Sequence, residues 1–523
     1  MWGTMPDVID RASGYYADKI AIIDGERRLT YREMRDFSDR LGSALVSLGL
    51  HKGERVGLLL PNSLEFLPSQ HGIWKAGGVL VQMPTRASAQ TQRTNLEQAA
   101  ATTLIYHAKF QDIVEEMRVG LPKLTRFIRV GGDAAFGTDH PLAEVLAAAP
   151  SRRPEVYLTV RDEAHVLFTS GSTGEPKGVV QSHYTWAHYA VSAGLEIGDI
   201  RFGEVFAHGA PLTHFTQIFA MPTFVRGGTN VMLPGLEVEG LLNAIEKYKV
   251  TATAVVPTII YLLVDHPERA DHDLSSLNTM IYAGSPIAPE KLRAAFDAFG
   301  PIFIQTYAGT EQGYVSCLRK NEHGIDTAGD IARLASAGRP MFQVEIAIRD
   351  DAGNDLAVGE VGEICSRQEG QMLHYLDKAL TAETVRNGWV HTGDVGRLDE
   401  DGFLYLVDRK KDMVVSGGFN VFPRQVEDVL CTHPRVAQAA VIGVPHAKWG
   451  EAVHAFVVLK DAPAGDHSEI QAVLTAEVKT ALGSIPAPKT MDFLAELPVN
   501  PAGKVDKRSL RAPFWQGRDR QIG

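Results

Sequence analysis

Cysteine is scarce in this chain of 523 residues: Cys317, Cys365 and Cys431 lie far apart and form no C-x-x-C pair. Neither a disulfide framework nor a cysteine zinc site is supported, and all three read as buried small apolar residues in a reducing compartment. Long hydrophobic runs are missing too. The greasiest stretch, residues 252–264, is about thirteen residues long and is interrupted by Thr253, Pro257 and Thr258, too short to span a bilayer. The amino terminus, Met-Trp-Gly-Thr-Met-Pro-Asp, has neither a basic start nor an apolar core, so no cleaved signal is expected and the cytoplasm is the default. Positive charge is in deficit, 52 Lys and Arg against 63 Asp and Glu for a net −11. That argues against non-specific binding to nucleic acid or anionic lipid, though a local basic pocket can still hold a polyanion. Repeats and low-complexity segments are absent as well.

The composition is 45% hydrophobic and 22% charged, enough to bury large cores. At about 150 residues per domain, the length suggests roughly three globular units. Thr30-x-x-Glu33 is a capping box, and Met34, Phe37, Leu41, Leu45 and Leu48 recur at helical spacing before Gly49. A strand-like run at 56–60, a helical stretch near 64–74 and a run at 79–81 follow. Similar alternation at 243–249, 252–256, 280–282, 289–299 and 302–305 implies an α/β fold with largely parallel sheets. From about residue 344 the texture changes to short strands with turn signals such as Asn387-Gly388 and Asp399-Glu400-Asp401-Gly402. Beyond the charged run Asp408-Arg409-Lys410-Lys411-Asp412 a compact βα pattern resumes. The chain therefore divides into residues 1–410 and a smaller domain, 411–523.

Chemistry is concentrated in Thr169-Ser170-Gly171-Ser172-Thr173-Gly174-Glu175-Pro176-Lys177-Gly178, a loop flanked by two β-like runs. Glycines let backbone N–H groups converge on an anion, hydroxyls add donors, and Lys177 adds charge, as a triphosphate requires. A Walker A loop is excluded by Pro176, which sits where the glycine before the lysine belongs. The nucleophile-elbow pattern G-x-S-x-G fails because Ser170 precedes Gly171-Ser172.

A second element is Gln305-Thr306-Tyr307-Ala308-Gly309-Thr310-Glu311, and a third is Trp389-Val390-His391-Thr392-Gly393-Asp394 with the later Arg409. If residues 399–402 form a four-residue hairpin loop, Leu398 pairs with Phe403 and Asp394 falls opposite roughly Val407. Asp394 and Arg409 then lie at the same end of one hairpin. A carboxylate there can accept both ribose hydroxyl protons while the guanidinium steadies it. An ordinary cross-strand ion pair would show the same spacing.

These segments resemble, in order and spacing, the motifs of adenylate-forming (AMP-binding) enzymes, the superfamily of acyl-CoA synthetases, non-ribosomal peptide adenylation domains and luciferases. The similarity runs from about residue 20 to 510, and its closest branch is the fatty- or aryl-acid CoA ligases. It implies a large N-terminal unit of two α/β sheets plus a distorted β-barrel, followed by a small mobile α+β domain. By the same resemblance the phosphate loop is Thr169, Ser170, Gly171, Ser172, Thr173, Gly174 and Lys177. Gly284 places backbone along the adenine, Tyr307 stacks on it, and Thr310 bonds the α-phosphate. Glu311 and Thr173 hold Mg²⁺, Asp394 and Arg409 take the ribose side, and Lys411 is the hinge.

Leu497-Pro-Val-Asn-Pro-Ala-Gly-Lys504 is similar to the terminal loop whose lysine enters the active site during adenylation, so Lys504 is the catalytic lysine. Pro211-Leu212-Thr213-His214 is similar to the segment whose histidine borders the carboxylate substrate, although a hydrogen-bonded core histidine fits His214 equally. Gly417, Gly418 and Trp449 would line the CoA arm, and for Trp449 core packing is the alternative. Small Ala308 and Gly309, with Phe215, Tyr282 and Thr306, suit a fatty or aromatic acid better than acetate.

The implied activity is an acid–thiol ligation through an acyl-AMP, with ATP, Mg²⁺ and CoA, no integral membrane segment and no nucleic acid; a homodimer is compatible with it. One feature departs from the pattern: Gly483-Ser484-Ile485-Pro486-Ala487 lacks the basic residues that commonly precede the segment matching Pro488-Lys489. CoA phosphate contacts would then fall to Lys489, Lys448 or arginines of the large unit. The departure keeps open a stand-alone enzyme that loads a carrier protein. A luciferase-like oxidase and a non-catalytic nucleotide-binding regulator are the remaining alternatives.

Overall fold

The computed structural model describes residues 3–132, 137–170, 176–197, 202–213, 216–283, 287, 289–460, 467–499 and 505–516. The capping box forms as the sequence requires. Thr30 Oγ1 accepts from the Glu33 amide at 3.2 Å and the Glu33 carboxylate accepts from the Thr30 amide at 2.8 Å, starting the helix Tyr31–Ser47. Its buried face, with Met34, Leu41 and Leu45, joins the core that also takes in Phe66, Leu67, Ile73 and Trp74 of the helix Phe66–Lys75.

Two large sheets follow from the alternating pattern. One has eight strands, with Val79–Gln82, Arg55–Leu59, Thr103–His107 and Arg126–Val130 parallel at its centre. The antiparallel pair Glu163–Ser170 and Pro176–Ser182 and the two-residue strand His374–Tyr375 lie toward one edge. The other sheet has nine strands, with Thr229–Met232, Val205–His208, Ala252–Val255, Thr279–Tyr282 and Phe303–Gly309 parallel in that order, and Gly313–Leu318 antiparallel beyond them. The short-stranded region builds a five-stranded sheet that holds Gly362–Arg367, Trp389–Leu398 and Leu404–Arg409. A further five-stranded sheet with the helices Pro423–Thr432 and Ser468–Leu482 makes the C-terminal α+β domain. By compactness the chain forms two units, Met1–Ile346 with Ser366–Val390, and Ala347–Cys365 with His391–Gly523. No helix among the described residues is long and apolar enough to cross a membrane.

The cysteine expectation needs correcting. Cys317 and Cys365 are buried but Cys431 is exposed, because it lies on the helix Pro423–Thr432 whose inner face is made by Val426 and Leu430.

The core of the first unit contains an unusual polar group. Trp74, fully buried, donates its indole N–H to the Ala164 carbonyl at 2.8 Å and is surrounded by His71, His165, His183 and Trp186, with ring centroids 5.6 to 6.4 Å away. His165 stacks nearly parallel on Trp186 at 4.8 Å. Neither ring nitrogen of the three histidines has a hydrogen-bond partner among the described residues. Burial disfavours the imidazolium and pushes His165 down to about 3, His183 to about 4 and His71 well below its ordinary value.

These three groups predict acid lability. Unfolded imidazoles, ordinarily near 6.5, take up protons that the folded ones refuse, so stability falls as the pH drops from there toward 4. Each histidine contributes up to about 1.4 kcal/mol per pH unit. Glu204 acts oppositely: burial raises it to about 8, so its contribution is lost as the pH rises through that value. Urea midpoints measured from pH 8 to 4 check this, and His165→Phe should flatten the acid limb.

Candidate active site

The expected phosphate loop joins two paired strands. Glu163–Ser170 runs antiparallel to Pro176–Ser182, with Thr169 opposite Lys177 and Ser170 opposite Pro176. Residues 171–175, and with them Gly171, Ser172, Thr173 and Gly174, lie outside the described residues. The return strand is held on its other edge by His374–Tyr375, where Tyr375 faces Val179 and His374 faces Val180. Backbone bonds of 2.8 Å from Leu373 to the Val180 carbonyl and from Leu376 to the Gly178 carbonyl extend this contact.

The same segment reaches the second motif. Phe303–Gly309 and Gly313–Leu318 form a hairpin, with a register irregularity between Tyr307 and Ala308. Tyr307 is 8% exposed at its end. At the turn, the Glu311 carboxylate accepts from the Tyr375 hydroxyl at 2.7 Å, and the Glu311 carbonyl accepts from the Met372 amide at 2.8 Å. The Thr310 carbonyl is bonded by Gln181 Nε2 at 3.0 Å, which also lies 3.2 Å from the Tyr189 hydroxyl. Burial, reinforced by the Glu311 charge, holds the Tyr375 phenol far above its ordinary pKa, so it stays a neutral donor. The Lys177 ammonium is 6.0 Å from the centroid of the same ring.

Sequence reasoning had missed Tyr375, Gln181 and Tyr189. For Gln181 the available signal was a lone amide in the apolar strand run Gly178-Val179-Val180-Gln181, where a buried polar group must find a partner.

Around the expected acyl pocket, Tyr282 and Thr306 are buried, and the Tyr282 hydroxyl lies 3.2 Å from Gln305 Oε1 and 3.0 Å from His323 Nε2. Ala308 packs against the core that contains Tyr189, Phe219 and Tyr314. Asn62, another residue missed, clamps the approach to Pro211: its amide donates to the His208 and Ala210 carbonyls at 2.9 Å and accepts from Leu212 N at 2.8 Å. His214, Phe215 and Gly284 lie outside the described residues.

In the second unit the hairpin register differs from expectation. Leu398 opposes Leu404 rather than Phe403, and Asp394 opposes Arg409 rather than Val407. Two local causes add up. The Asp399 carboxylate accepts from the amides of Asp401 and Phe403 at 3.0 and 2.8 Å, drawing Phe403 into the turn. An irregularity between Val395 and Gly396 then shifts the register once more, at a glycine where a Cβ would lie 2.6 Å from the Tyr405 carbonyl oxygen. Asp394 and Arg409 meet as expected, at 3.3 Å, with Arg409 52% exposed.

The strand residues before Asp394 are gripped from the neighbouring strand. Gly393 N donates to Glu363 Oε1 at 3.2 Å, and Thr392 Oγ1 to the Ile364 carbonyl at 2.7 Å. His391 Nδ1 lies 3.3 Å from Glu363 Oε2 and 3.4 Å from Cys365 Sγ, and the Lys410 ammonium is 3.7 Å from Glu363. Cys365 is therefore a member of a polar cluster, beyond the apolar filler the sequence suggested.

Gly417, at φ +60°, donates its amide to the Trp449 carbonyl at 2.8 Å, and a side chain there would touch the indole at 3.4 Å. Trp449 is half-buried and packs against the core that contains Ile442, Val444 and Phe456, with His446 stacked on it at 4.2 Å. The ammonium groups of Lys448 and Lys489 lie 5.9 and 5.4 Å from its ring centroid. Gly418 follows at φ +87°. Lys411 lies in the turn between the strands Leu404–Arg409 and Val414–Ser416. Lys504 lies outside the described residues, while the flanking Val499 and Val505 form an antiparallel bridge.

Two family descriptions match the chain: AMP-binding enzyme over residues 9–376 and AMP-binding enzyme C-terminal domain over residues 425–504. The chain belongs to the AMP-binding enzymes. It is similar to the medium/long-chain-fatty-acid–CoA ligase FadD8 of Mycobacterium tuberculosis, 35% identical over 524 residues, 97% of this chain and 90% of the relative. It is also similar to the fatty acid–[acyl-carrier-protein] ligase ScoC of Streptomyces coeruleorubidus, 32% identical over 96% of this chain and 95% of that one. Among solved structures, the amide bond synthetase McbA of Marinactinospora thermotolerans superposes with a TM-score of 0.87 at 30% identity, covering 98% of this chain and all, 100%, of the other.

Two substitutions separate site scaffolding from surface charge. Gln181→Ala removes a buried amide's bonds to the Thr310 carbonyl and the Tyr189 hydroxyl and should cost about 1–3 kcal/mol, whereas Asp394→Asn at the half-exposed ion pair should cost under about 1 kcal/mol. Urea denaturation of both variants measures the difference.

Proposed function

We propose that this enzyme activates a medium- or long-chain fatty acid or an aromatic acid with ATP and transfers the acyl group to CoA. In the first step a carboxylate oxygen attacks the α-phosphorus, an acyl-AMP forms and pyrophosphate leaves. In the second the CoA sulfur attacks the acyl carbon, the thioester forms and AMP leaves. The observation that carries this reading is the way residues 372–376 tie the strand returning from the phosphate loop to Glu311. An anion-binding hairpin and a fixed carboxylate are thereby built as one piece.

On this reading residues 169–177 cradle the phosphates, Thr310 bonds the α-phosphate and Tyr307 and the backbone near Gly284 receive the adenine. Asp394 accepts the ribose hydroxyls, Arg409 offsets phosphate charge and Lys504 reaches the reacting phosphate. His214 borders the carboxylate. Glu311 offers the hard oxygen donors that suit Mg²⁺, with Thr173 as the second ligand; bound there, the ion would neutralise charge on the phosphates. The small domain from residue 411 turns about Lys411, so that Lys504 withdraws and Gly417, Gly418 and Trp449 close on the thiol. The protein works in the cytoplasm, without nucleic acid, and a homodimer is compatible with this scheme.

Acceptor choice is the finer part of the proposal. The uncharged stretch 483–487 favours a carrier protein, and ScoC is named as such a ligase. The two lysines beside Trp449 favour CoA, since they supply cationic groups where that stretch has none. With ATP, Mg²⁺ and a panel of acids, thioester should form only when CoA is added, and octanoate or benzoates should outperform acetate in pyrophosphate release. AMP-ester that accumulates regardless of CoA would assign the carrier-protein reading instead. Binding of ATP without pyrophosphate exchange would reduce the chain to a regulator. Lys504→Ala should slow adenylation on the order of 10²- to 10³-fold, read as ATP–pyrophosphate exchange.

A further inference from the structure

We infer that Tyr375 is a positioning residue for the divalent-cation site of this enzyme, holding Glu311 in the orientation in which its carboxylate meets the metal–nucleotide. The inference rests on the function proposed above and adds a residue to it.

Tyr375 reaches Glu311 from a different part of the chain, 64 residues away in sequence, through a 2.7 Å hydrogen bond to Oε1. The residue is 3% exposed. Its backbone is immobilised on both sides: Met372 bonds the Glu311 carbonyl, Leu373 and Leu376 bond the strand that returns from the phosphate loop, and Tyr375 N donates to Thr381 Oγ1 at 2.9 Å. The phenol therefore has one fixed place, and as a neutral donor it presents one proton to one carboxylate oxygen. A carboxylate has about four lone-pair sites. Fixing one of them on Oε1 leaves Oε2 and the second lone pair of Oε1 for a cation, with the rotation of the carboxylate already removed.

The ring also stands beside the Lys177 ammonium, 6.0 Å from its centroid. Among the described residues neither Lys177 nor Glu311 forms an ion pair. With its hydroxyl on the acid and its ring near the base, Tyr375 serves both charged groups separately, leaving each for the phosphates and their counter-ion.

The test uses full-length protein, Mn²⁺ and ATP, with bound Mn²⁺ read by electron paramagnetic resonance and exchange kinetics measured alongside. Tyr375→Phe keeps the ring and loses only the hydrogen bond. It should weaken Mn²⁺ binding in the presence of ATP by about 10- to 100-fold, the worth of one hydrogen bond to a charged group, and raise the Mg²⁺ needed for half-maximal pyrophosphate exchange in the same direction. In a Glu311→Gln background the same change should have no further effect. The inference is overturned if Tyr375→Phe binds Mn²⁺ with ATP as the unaltered enzyme does, or if it weakens binding equally with and without the Glu311 carboxylate, as a merely structural tyrosine would. An unaltered enzyme that shows this coupling but exchanges no pyrophosphate would defeat the adenylation reading and leave the Tyr375 assignment supported.

Discussion

A carboxylate partly removed from water must be met by a donor or it ceases to be a dependable anion, and in this enzyme that condition falls on Glu311. The phenol that meets it belongs to a strand of only two residues, His374–Tyr375. So short a strand has no stability of its own. It exists because the strand Pro176–Ser182 offers an edge to pair with and because Met372 caps the Glu311 carbonyl from the same stretch. The site is thus a closed circuit of hydrogen bonds in which the eight-stranded sheet supplies one side and the hairpin of the nine-stranded sheet supplies the other.

The same economy appears around Asp394, the carboxylate proposed for the ribose. Asp394 sits within the long strand Trp389–Leu398, and the residues just before it are bonded to Glu363 and Ile364 on the neighbouring strand. Charged and hydroxyl side chains that would be idle on an exposed sheet are used here to fix main-chain atoms, so the position of one carboxylate is set by backbone rather than by its own partner. That explains why its ion pair with Arg409 can be half-exposed without leaving the aspartate poorly placed.

Much of this was legible in the chain. Helical spacing and a capping box fixed the helix Tyr31–Ser47, and strand-like runs gave the parallel sheets because fully buried strands read as unbroken apolar segments. The motif order revealed the family and supplied the candidate site residues. What escaped were partners rather than actors: Tyr375, Gln181 and Asn62 act through contacts between distant segments, and no local pattern encodes which segments meet. The hairpin register escaped for a related reason. A side-chain turn at Asp399 and an irregularity at Gly396 each change the count by one, and neither leaves a periodic trace. The exposure of Cys431 escaped because it depends on which face of the helix Pro423–Thr432 the residue occupies, and residue type alone does not carry that.

That hairpin has a consequence for how the sequence can change. Because side chains in a strand alternate between two faces, the residue count from the Asp399 turn back along the strand sets which face carries Asp394, while the extra residue Val407 of the partner strand sets which residue opposes it. Substitutions along Trp389–Leu398 leave that parity untouched. An insertion or deletion of one residue between Asp394 and the Asp399 turn reverses it and turns the aspartate to the opposite side of the sheet. Length variation in this enzyme's descendants is therefore confined to the tip beyond Asp399, or must come there in compensating pairs, and the strand itself is closed to changes in length.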